Sequence, residues 1–379
     1  MSEWKKVKLG EVCEISAGGD RPQIFSNHRT DKCRIPIYSN GIDNEGLYGF
    51  TDTPKNNGNA ITITGRGANA GTVFYRKDPF LSIIRLLTLT PNSEIINAKY
   101  LFYLLKNKTF LSTGSAQPQI TVPNISQFEI EFNPDIETQH RIASILSRYD
   151  SLIENYQKQI KLLEEAAQRL YKEWFVDLRF PGHENTNIVD GVPEGWEKKS
   201  IGEIGEYLNG FAFKPSDWQD LGKPIIKIKE MGNGVTNETP RNSGERVPAK
   251  YLIKAGDLLF SWSATLMVII WSGEEGWLNQ HLFKVTPVKG IDREFLLQRI
   301  SNAIVEFQNL TTGSTMKHIQ RNKLDQVFVN VPNAEIMKRY SDISEKTRSN
   351  ILSIQSQLRL LTEARDRLLP KLMSGEITV

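Results

Sequence analysis

Cysteine is nearly missing from this chain. Cys13 and Cys33 are the only two in 379 residues, and neither sits in Cys-x-x-Cys or His-x-x-His spacing. Two isolated thiols make no disulfide framework and no zinc site, so both are expected to be structural or unpaired. Long apolar runs are also lacking. The longest, Leu266 to Trp271, spans six residues, against the roughly 18 that a membrane helix needs. The opening, Met1-Ser-Glu-Trp-Lys-Lys, has no apolar stretch of the kind found in signal peptides. No membrane partner is therefore expected, and the expected location is cytoplasmic.

Charge of one sign is not in excess: 47 Lys and Arg stand against 44 Asp and Glu, a net charge of +3. By region the balance is +3 over 1–134, −1 over 135–180, −1 over 181–333 and +2 over 334–379. Charge alone thus neither demands nor excludes a polyanionic partner. The five histidines, His28, His140, His183, His281 and His318, are scattered without ligand spacing. No Gly-x-x-x-x-Gly-Lys-Ser/Thr loop, His-Glu-x-x-His helix or nucleophile elbow is found. Catalytic residues, a metal site and a cofactor of its own are accordingly not expected. Gly65-Arg-Gly-Ala-Asn-Ala-Gly71 does not reproduce Gly-x-Gly-x-x-Gly and reads as a turn or a ligand-facing loop. Asn133-Pro-Asp-Ile136 reads as the start of a helix, with Pro134 and Asp135 in its first turn.

What the chain does have is length and self-similarity. At 379 residues, with 39% apolar and 24% charged side chains and a mean hydropathy of −0.38, it predicts a soluble chain of two or more domains. Trp4-x4-Leu9-Gly10-Glu11 with Glu14 and Gly18 returns as Trp196-x4-Ile201-Gly202-Glu203 with Glu206 and Gly210, an offset of 192. Thr90-Pro91 returns as Thr286-Pro287, Thr113-Gly-Ser115 as Thr312-Gly-Ser314, Ile120 as Ile319, and Pro134 as Pro332, with offsets drifting from 196 to 199. A repeat with such small drift describes two copies of one unit separated by short loop insertions.

After Pro134 both copies change to a helical pattern at an offset of 198. Ile142, Leu146, Tyr149, Ile153, Tyr156, Ile160, Leu163, Ala167, Leu170 and Trp174 step by four and three without a break, a coiled-coil seam. The second copy gives Tyr340, Ser344, Thr347, Ile351, Ile354, Leu358, Leu361, Arg365, Leu368 and Leu372. Its phase survives three polar interruptions, where the helix is expected to pair less tightly or to face a partner. Each helix, of about 40 residues and roughly 60 Å, has one apolar face to cover, so the two are expected to pair with each other as an antiparallel coiled coil, which would relate the copies by an approximate two-fold axis. That arrangement would set one globular domain at each end of a rod, suited to two sites on duplex DNA.

Ahead of each helix lie short β-rich runs, Ala60–Thr64, Leu86–Thr90, Lys223–Lys229 and Asp257–Phe260, punctuated by Gly, Pro and Asn. Short helices are expected at Ala98–Lys106 and Arg293–Phe307. The segment 179–195, with three glycines, two prolines and no periodicity, reads as a linker. The predicted fold class is α+β: mixed, mainly β domains at 1–134 and 196–333, long helices at 135–178 and 334–379, and an internal pseudo-two-fold repeat.

With no catalytic signature, binding remains. Loop segments mixing amides, hydroxyls, basic and aromatic groups are those that read base edges or hold phosphates. They are Arg66 and Asn69, then Ser115, Gln117 and Gln119 in the first copy. In the second they are Ser261, Trp262 and Ser263, then Asn279, Gln280 and His281, then Thr315, Lys317, His318, Gln320 and Arg321. Any one of these alone is also an ordinary solvated loop residue.

The duplicated Trp-x4-Leu/Ile-Gly-Glu openings, the Thr-Gly-Ser segments, Gln139-His-Arg-Ile-Ala-Ser-Ile-Leu146, Leu170-Tyr-Lys-Glu-Trp-Phe175 and Leu368-Leu-Pro-Lys-Leu-Met-Ser-Gly375 together resemble the specificity (S) subunit of type I restriction-modification enzymes, over essentially the whole chain. The resemblance implies a non-catalytic subunit whose two target recognition domains each read one half of a bipartite site in double-stranded DNA, with the helices as spacer. It further implies two methyltransferase (M) subunits docked on the helices, with S-adenosylmethionine and adenine chemistry of their own, and restriction (R) subunits using ATP and magnesium. Arg148, Lys158, Arg169, Lys172, Arg359 and Arg367 are candidate contacts for the M subunits. The domains differ outside their shared motifs, so unlike half-sites are expected. Two other readings compete: an enzyme acting alone on DNA, which the missing motifs oppose, and a coiled-coil scaffold that binds proteins without DNA recognition.

Overall fold

The repeat read from the sequence returns in the main sheet of each copy in the computed structural model, which describes residues 4–110, 119–310 and 321–379. In the first copy Cys13–Ala17, Leu87–Pro91, Ala60–Ile63 and Val73–Arg76 form a four-stranded antiparallel sheet in that order. In the second, Gly205–Asn209, Leu282–Pro287, Leu258–Ser261 and Met267–Ile270 form the same sheet. Even the register is shared. Glu14 lies opposite Thr90 and Glu206 opposite Thr286, the pairs that the sequence repeat equates.

A second, smaller sheet completes each copy: Leu47–Thr51, Ile35–Tyr38 and Leu81–Ser82 in the first, and Arg241–Asn242, Lys223–Ile226, Gly276–Leu278 and Leu252–Ile253 in the second. Each contains one parallel pair, Ile37 beside Leu81 and Ile225 beside Trp277. Ala60–Ile63 and Leu258–Ser261 are buried at every position, including Thr62, whose hydroxyl oxygen accepts from Arg76 at 3.0 Å. Helices Ala98–Leu105 and Arg293–Leu310 follow. Asn97 caps the first through Oδ1, which accepts from the amides of Lys99 and Tyr100 at 3.0 and 2.9 Å.

The repeated Gly-Glu of the openings now has a cause. The Glu11 carboxylate accepts the Lys8 amide at 3.2 Å and Glu203 accepts the Ser200 amide at 2.7 Å, so each ties the end of its opening strand to the turn that follows. Those bonds hold the Glu203 carboxyl below its ordinary range. A Cβ on Gly10 would lie 3.2 Å from Ser126, and one on Gly202 2.0 Å from the Asp325 carboxylate, so a larger residue would have to displace those neighbours. The opening strands, Lys5–Lys8 and Glu197–Ser200, pair with Glu129–Phe132 and Phe328–Val331.

The chain divides into two compact units. One is Met1–Leu152 with Leu361–Val379 and the other is Ile153–Leu360. The first has a core from Leu9 to Leu146 that Leu369 and Leu372 complete. The second is built on Tyr171, Trp174, Phe175, Trp196, Phe295 and Tyr340, with Phe175 edge-on to both Phe295 and Tyr340 at 4.8 Å.

The long helices are Ile136–Tyr171 and Ala334–Met373. Asp135 starts the first, its carboxylate accepting the amide of Thr138 at 3.0 Å. All twenty seam positions named from the sequence are buried or half-buried. Asp150 meets Arg365 in the first unit, and Trp174 meets Tyr340 in the second. Within the second unit Glu164 also lies near Arg348, so ascending numbers on one helix pair with descending numbers on the other and the two run antiparallel there. A π-helical turn, Lys172–Val176, ends the first helix. Its extra residue per turn lets the successive Trp174 and Phe175 both enter the core.

The polar interruptions of the second seam find partners within the chain. Ser344 donates to Asp292 Oδ1 at 3.2 Å, and Arg365 pairs with Asp150 at 2.8 Å. Thr347, half-buried, bonds the carbonyl of Ile343. Two smaller differences from expectation appear. The strand starting at Lys223 stops at Ile226, because Glu230 accepts the Lys227 amide at 3.1 Å and starts the helix Ile228–Asn233. The linker is not featureless, since Asp190 and Gly191 take left-handed backbone and close a hairpin between Ile188–Val189 and Val192–Pro193.

Candidate nucleic-acid interface

In the first copy three chain segments converge beside the end of strand Ala60–Ile63. Arg66 bridges Gln119 across an antiparallel pair, and the Ile120 amide donates to the Gly65 carbonyl at 2.8 Å. Asn40 joins the third segment: its Oδ1 accepts the Gly65 amide at 2.7 Å while its Nδ2 donates to the Ile84 carbonyl. Arg66 and Asn69 are exposed and Gln119 is half-buried. The turn carrying Asn69 is rigid, with its carbonyl accepting from Thr64 and Thr72 and Gly67 and Gly71 at positive φ. Ser115 and Gln117, with the Thr113-Gly-Ser115 motif, lie outside the described residues.

The third segment holds two residues that the sequence reading passed over. Ile84 and Arg85 both have positive φ, 52° and 58°, a conformation that costs a residue bearing a Cβ about 1–2 kcal/mol. It is enforced by the amides of Ile84 and Arg85, which donate to Gly19 and Gly18 at 2.8 and 2.9 Å. Gly18 permits the approach, because a Cβ there would lie 2.7 Å from the Ile83 amide nitrogen. Both side chains of the turn face solvent, Ile84 at 51% exposure. The repeat offset of 196 carries Ile84 and Arg85 onto Gln280 and His281, so the sequence did hold the signal.

The second copy shares the bonds that flank this turn, although Gln280 and His281 themselves are not left-handed. Gly18 donates to Leu86, Leu86 to Ile83 and Ile83 to Tyr38, while Gly210 donates to Leu282, Leu282 to Asn279 and Asn279 to Ile226. Trp262 and Gln280 are half-buried, and the Trp262 and His281 rings lie 5.9 Å apart. Ser261, Ser263 and Asn279 take a different role from the one expected. Ser261 is fully buried, its hydroxyl turned inward to the carbonyls of Ser263 and Thr265 at 3.2 and 2.7 Å. Ser263 and Asn279 are each 5% exposed. All three build the turn and present no side chain to a ligand. Thr315, Lys317, His318 and Gln320 lie outside the described residues, and Arg321 begins the short helix Arg321–Gln326.

Among the described residues no group of three His, Cys, Asp or Glu side chains is placed to hold a metal ion, and no helix is long and apolar enough to cross a membrane. Cys13 and Cys33 are buried free thiols.

The family model of the type I restriction modification DNA specificity domain matches this chain twice, over residues 1–165 and 193–361. The chain belongs to that family. Its specificity-domain copies thus coincide with the repeat in sequence and in strand register. Among curated relatives, the type I restriction enzyme MjaIX specificity subunit of Methanocaldococcus jannaschii is 27% identical, covering 84% of this chain and 78% of that protein. The type I restriction enzyme HindI specificity subunit of Haemophilus influenzae is 26% identical over the full length of both. Among solved structures, the type I restriction-modification S subunit from M. genitalium has the same fold, with a TM-score of 0.67 at 17% identity, covering 98% of this chain and 96% of that one. On the helices of this specificity chain Arg148, Lys158, Arg169, Lys172, Arg359 and Arg367 are all exposed. Arg169 pairs with Glu165, Lys172 with Asp177 and Arg367 with Glu363.

Proposed function

We propose that this chain is the DNA sequence-specificity subunit of a type I restriction-modification assembly. Residues 1–134 and 196–333 are its target recognition domains, each reading one half of a gapped site in double-stranded DNA. The helical segments 135–178 and 334–379 act as spacer, and their exposed cations dock two methyltransferase subunits. Those partners bring S-adenosylmethionine and modify adenine, and restriction subunits bring ATP and magnesium; this chain itself contributes recognition and no catalysis. The assembly works in the cytoplasm.

The observation that carries this reading is the pairing of one scaffold with two different tips. The wiring that runs Gly18–Leu86–Ile83–Tyr38 in one copy and Gly210–Leu282–Asn279–Ile226 in the other has unlike side chains beside it, Arg66, Asn69 and Gln119 in the first and Trp262, Gln280 and His281 in the second. Amides and arginine suit adenine and guanine edges respectively. Ser115, Gln117, Thr315, Lys317, His318, Gln320 and Arg321 join the DNA contacts on the strength of their sequence context alone. Because the tips differ, the half-sites differ. An adenine methylation map of cells carrying this chain with its methyltransferase, against cells lacking only this chain, tests the reading. A gapped motif with two unlike halves that disappears with the chain is expected. An unchanged map sinks it, and two identical halves sink the asymmetric target.

A further inference from the structure

Resting on that reading of the first recognition domain, we infer that the left-handed Ile84–Arg85 turn is a base-reading element, with Arg85 addressing a guanine edge and Ile84 the methyl group of a neighbouring thymine. Strain of this kind persists only where surrounding structure over-determines it, and it gathers at functional sites. Here the determination is explicit. Gly18 and Gly19 accept the two amides, Asn40 donates to the Ile84 carbonyl, and the Ile83 amide is held by Tyr38 at 2.9 Å. The two residues themselves add nothing to the core, since a branched apolar side chain and a guanidinium are both turned outward between the buried Ile83 and Leu86. Ile84 is 51% exposed and Arg85 is exposed beside it.

Position supports the same conclusion. Asn40 links the Ile84 carbonyl to the Gly65 amide, so the turn is pinned to the loop that carries Arg66 and, through it, to Gln119. A Cβ on Gly65 would lie 3.3 Å from the Arg85 carbonyl oxygen, which puts the two backbones in direct apposition. The corresponding turn of the second domain bears Gln280 and His281, again side chains able to read base edges. A fixed backbone presents both groups without an ordering cost on binding. The chemistry fits the major groove, where arginine bonds guanine O6 and N7 together and an apolar group contacts the thymine methyl.

The test uses the full chain with its methyltransferase, comparing wild type with Arg85→Ala and Ile84→Gly by methylation mapping and by binding to oligonucleotides carrying each base at every half-site position. For Arg85→Ala we expect one guanine of a single half-site to become any base, with discrimination there falling at least tenfold while the other half-site and the gap stay intact. For Ile84→Gly the neighbouring thymine should relax while the melting temperature stays level or rises, because glycine accepts the left-handed conformation without strain. A loss of binding that is uniform across all bases would make Arg85 a phosphate contact and overturn the inference, as would an unchanged motif in both variants. If wild type itself yields no gapped motif, the recognition-domain reading has failed and the inference falls with it. A wild-type motif that the variants leave untouched removes the inference alone.

Discussion

Asp150 on the first long helix and Arg365 on the second meet at 2.8 Å, and the second oxygen of the same carboxylate accepts the hydroxyl of Tyr103 at 2.7 Å. One acidic side chain thus fastens the antiparallel seam to a helix of the first recognition domain. The repeat carries position 150 onto Arg348, whose guanidinium bonds Glu294 on the corresponding helix of the second domain at 2.7 and 2.9 Å. The same place in both copies is a polar fastening, with the sign of the charge reversed.

Removing one side of such a fastening takes the opposite charge from the other in a partly dry site, since the Asp150 and Arg365 side chains are 21% and 15% exposed, and leaves Asp150 with Tyr103 or Arg365 with Asp366. Asp150→Ala and Arg365→Ala are each expected to cost about 2–3 kcal/mol, and the double variant less than their sum by about 1 kcal/mol or more. Denaturant unfolding of the four proteins measures this. Strict additivity would show that the pair contributes nothing as a pair.

Gly18 and Gly210 are matched positions where a Cβ would lie 2.7 Å from the Ile83 amide nitrogen and 2.2 Å from the Asn279 carbonyl oxygen. Backbone cannot give way as a side-chain tip can, so alanine at either is expected to cost about 3 kcal/mol, the upper end of overpacking. Gly67 has φ of +81° and open space around it, so alanine there should cost only about 1 kcal/mol. Equal losses at Gly18 and Gly67 would contradict the close approach.

Ser261 and Gln280 separate scaffold from reader. Ser261→Ala removes two inward hydrogen bonds and should lower stability by about 1–2 kcal/mol with the methylated motif unchanged. Gln280→Ala should leave stability within about 0.5 kcal/mol and relax one position of the second half-site only. A motif that changes in Ser261→Ala would return that serine to the interface.

Burial pushes the Cys13 thiol up to about 12 from an ordinary value near 9. The unfolded chain therefore gives up this proton before the folded one does. The contribution is complete below about pH 9 and is lost as pH rises toward 12. Denaturant midpoints should fall over that window more steeply for wild type than for Cys13→Ala, and the native thiol should resist alkylating reagents at neutral pH. Equal slopes would refute the burial argument.

Much of this was legible in the sequence because it is written locally or twice. The four-three stepping from Ile142 to Trp174 needs no knowledge of the fold, and the matched Glu14/Thr90 and Glu206/Thr286 pairs appear as a repeat before they appear as a register. The partners of Ser344 and Arg365 were not legible, because Asp292 and Asp150 are distant in sequence and only folding brings them near. Ser261 passed for a reader because a serine before a tryptophan carries no sign of which way its hydroxyl turns. Arg85 was missed for a related reason: an arginine between apolar residues looks like an ordinary strand position until Gly18 and Gly19 are seen to hold it left-handed.

The core of the first unit has a consequence for synthesis. Leu9 and Ile142 are made early, but Leu369 and Leu372, which close the same core, are made only after the whole of the second unit. Domains that are contiguous can fold as they emerge from the ribosome. Here the part begun first is finished last, so a truncated product leaves its nascent apolar surface open to chaperones and proteases, and recognition of the first half-site awaits completion of the final helix.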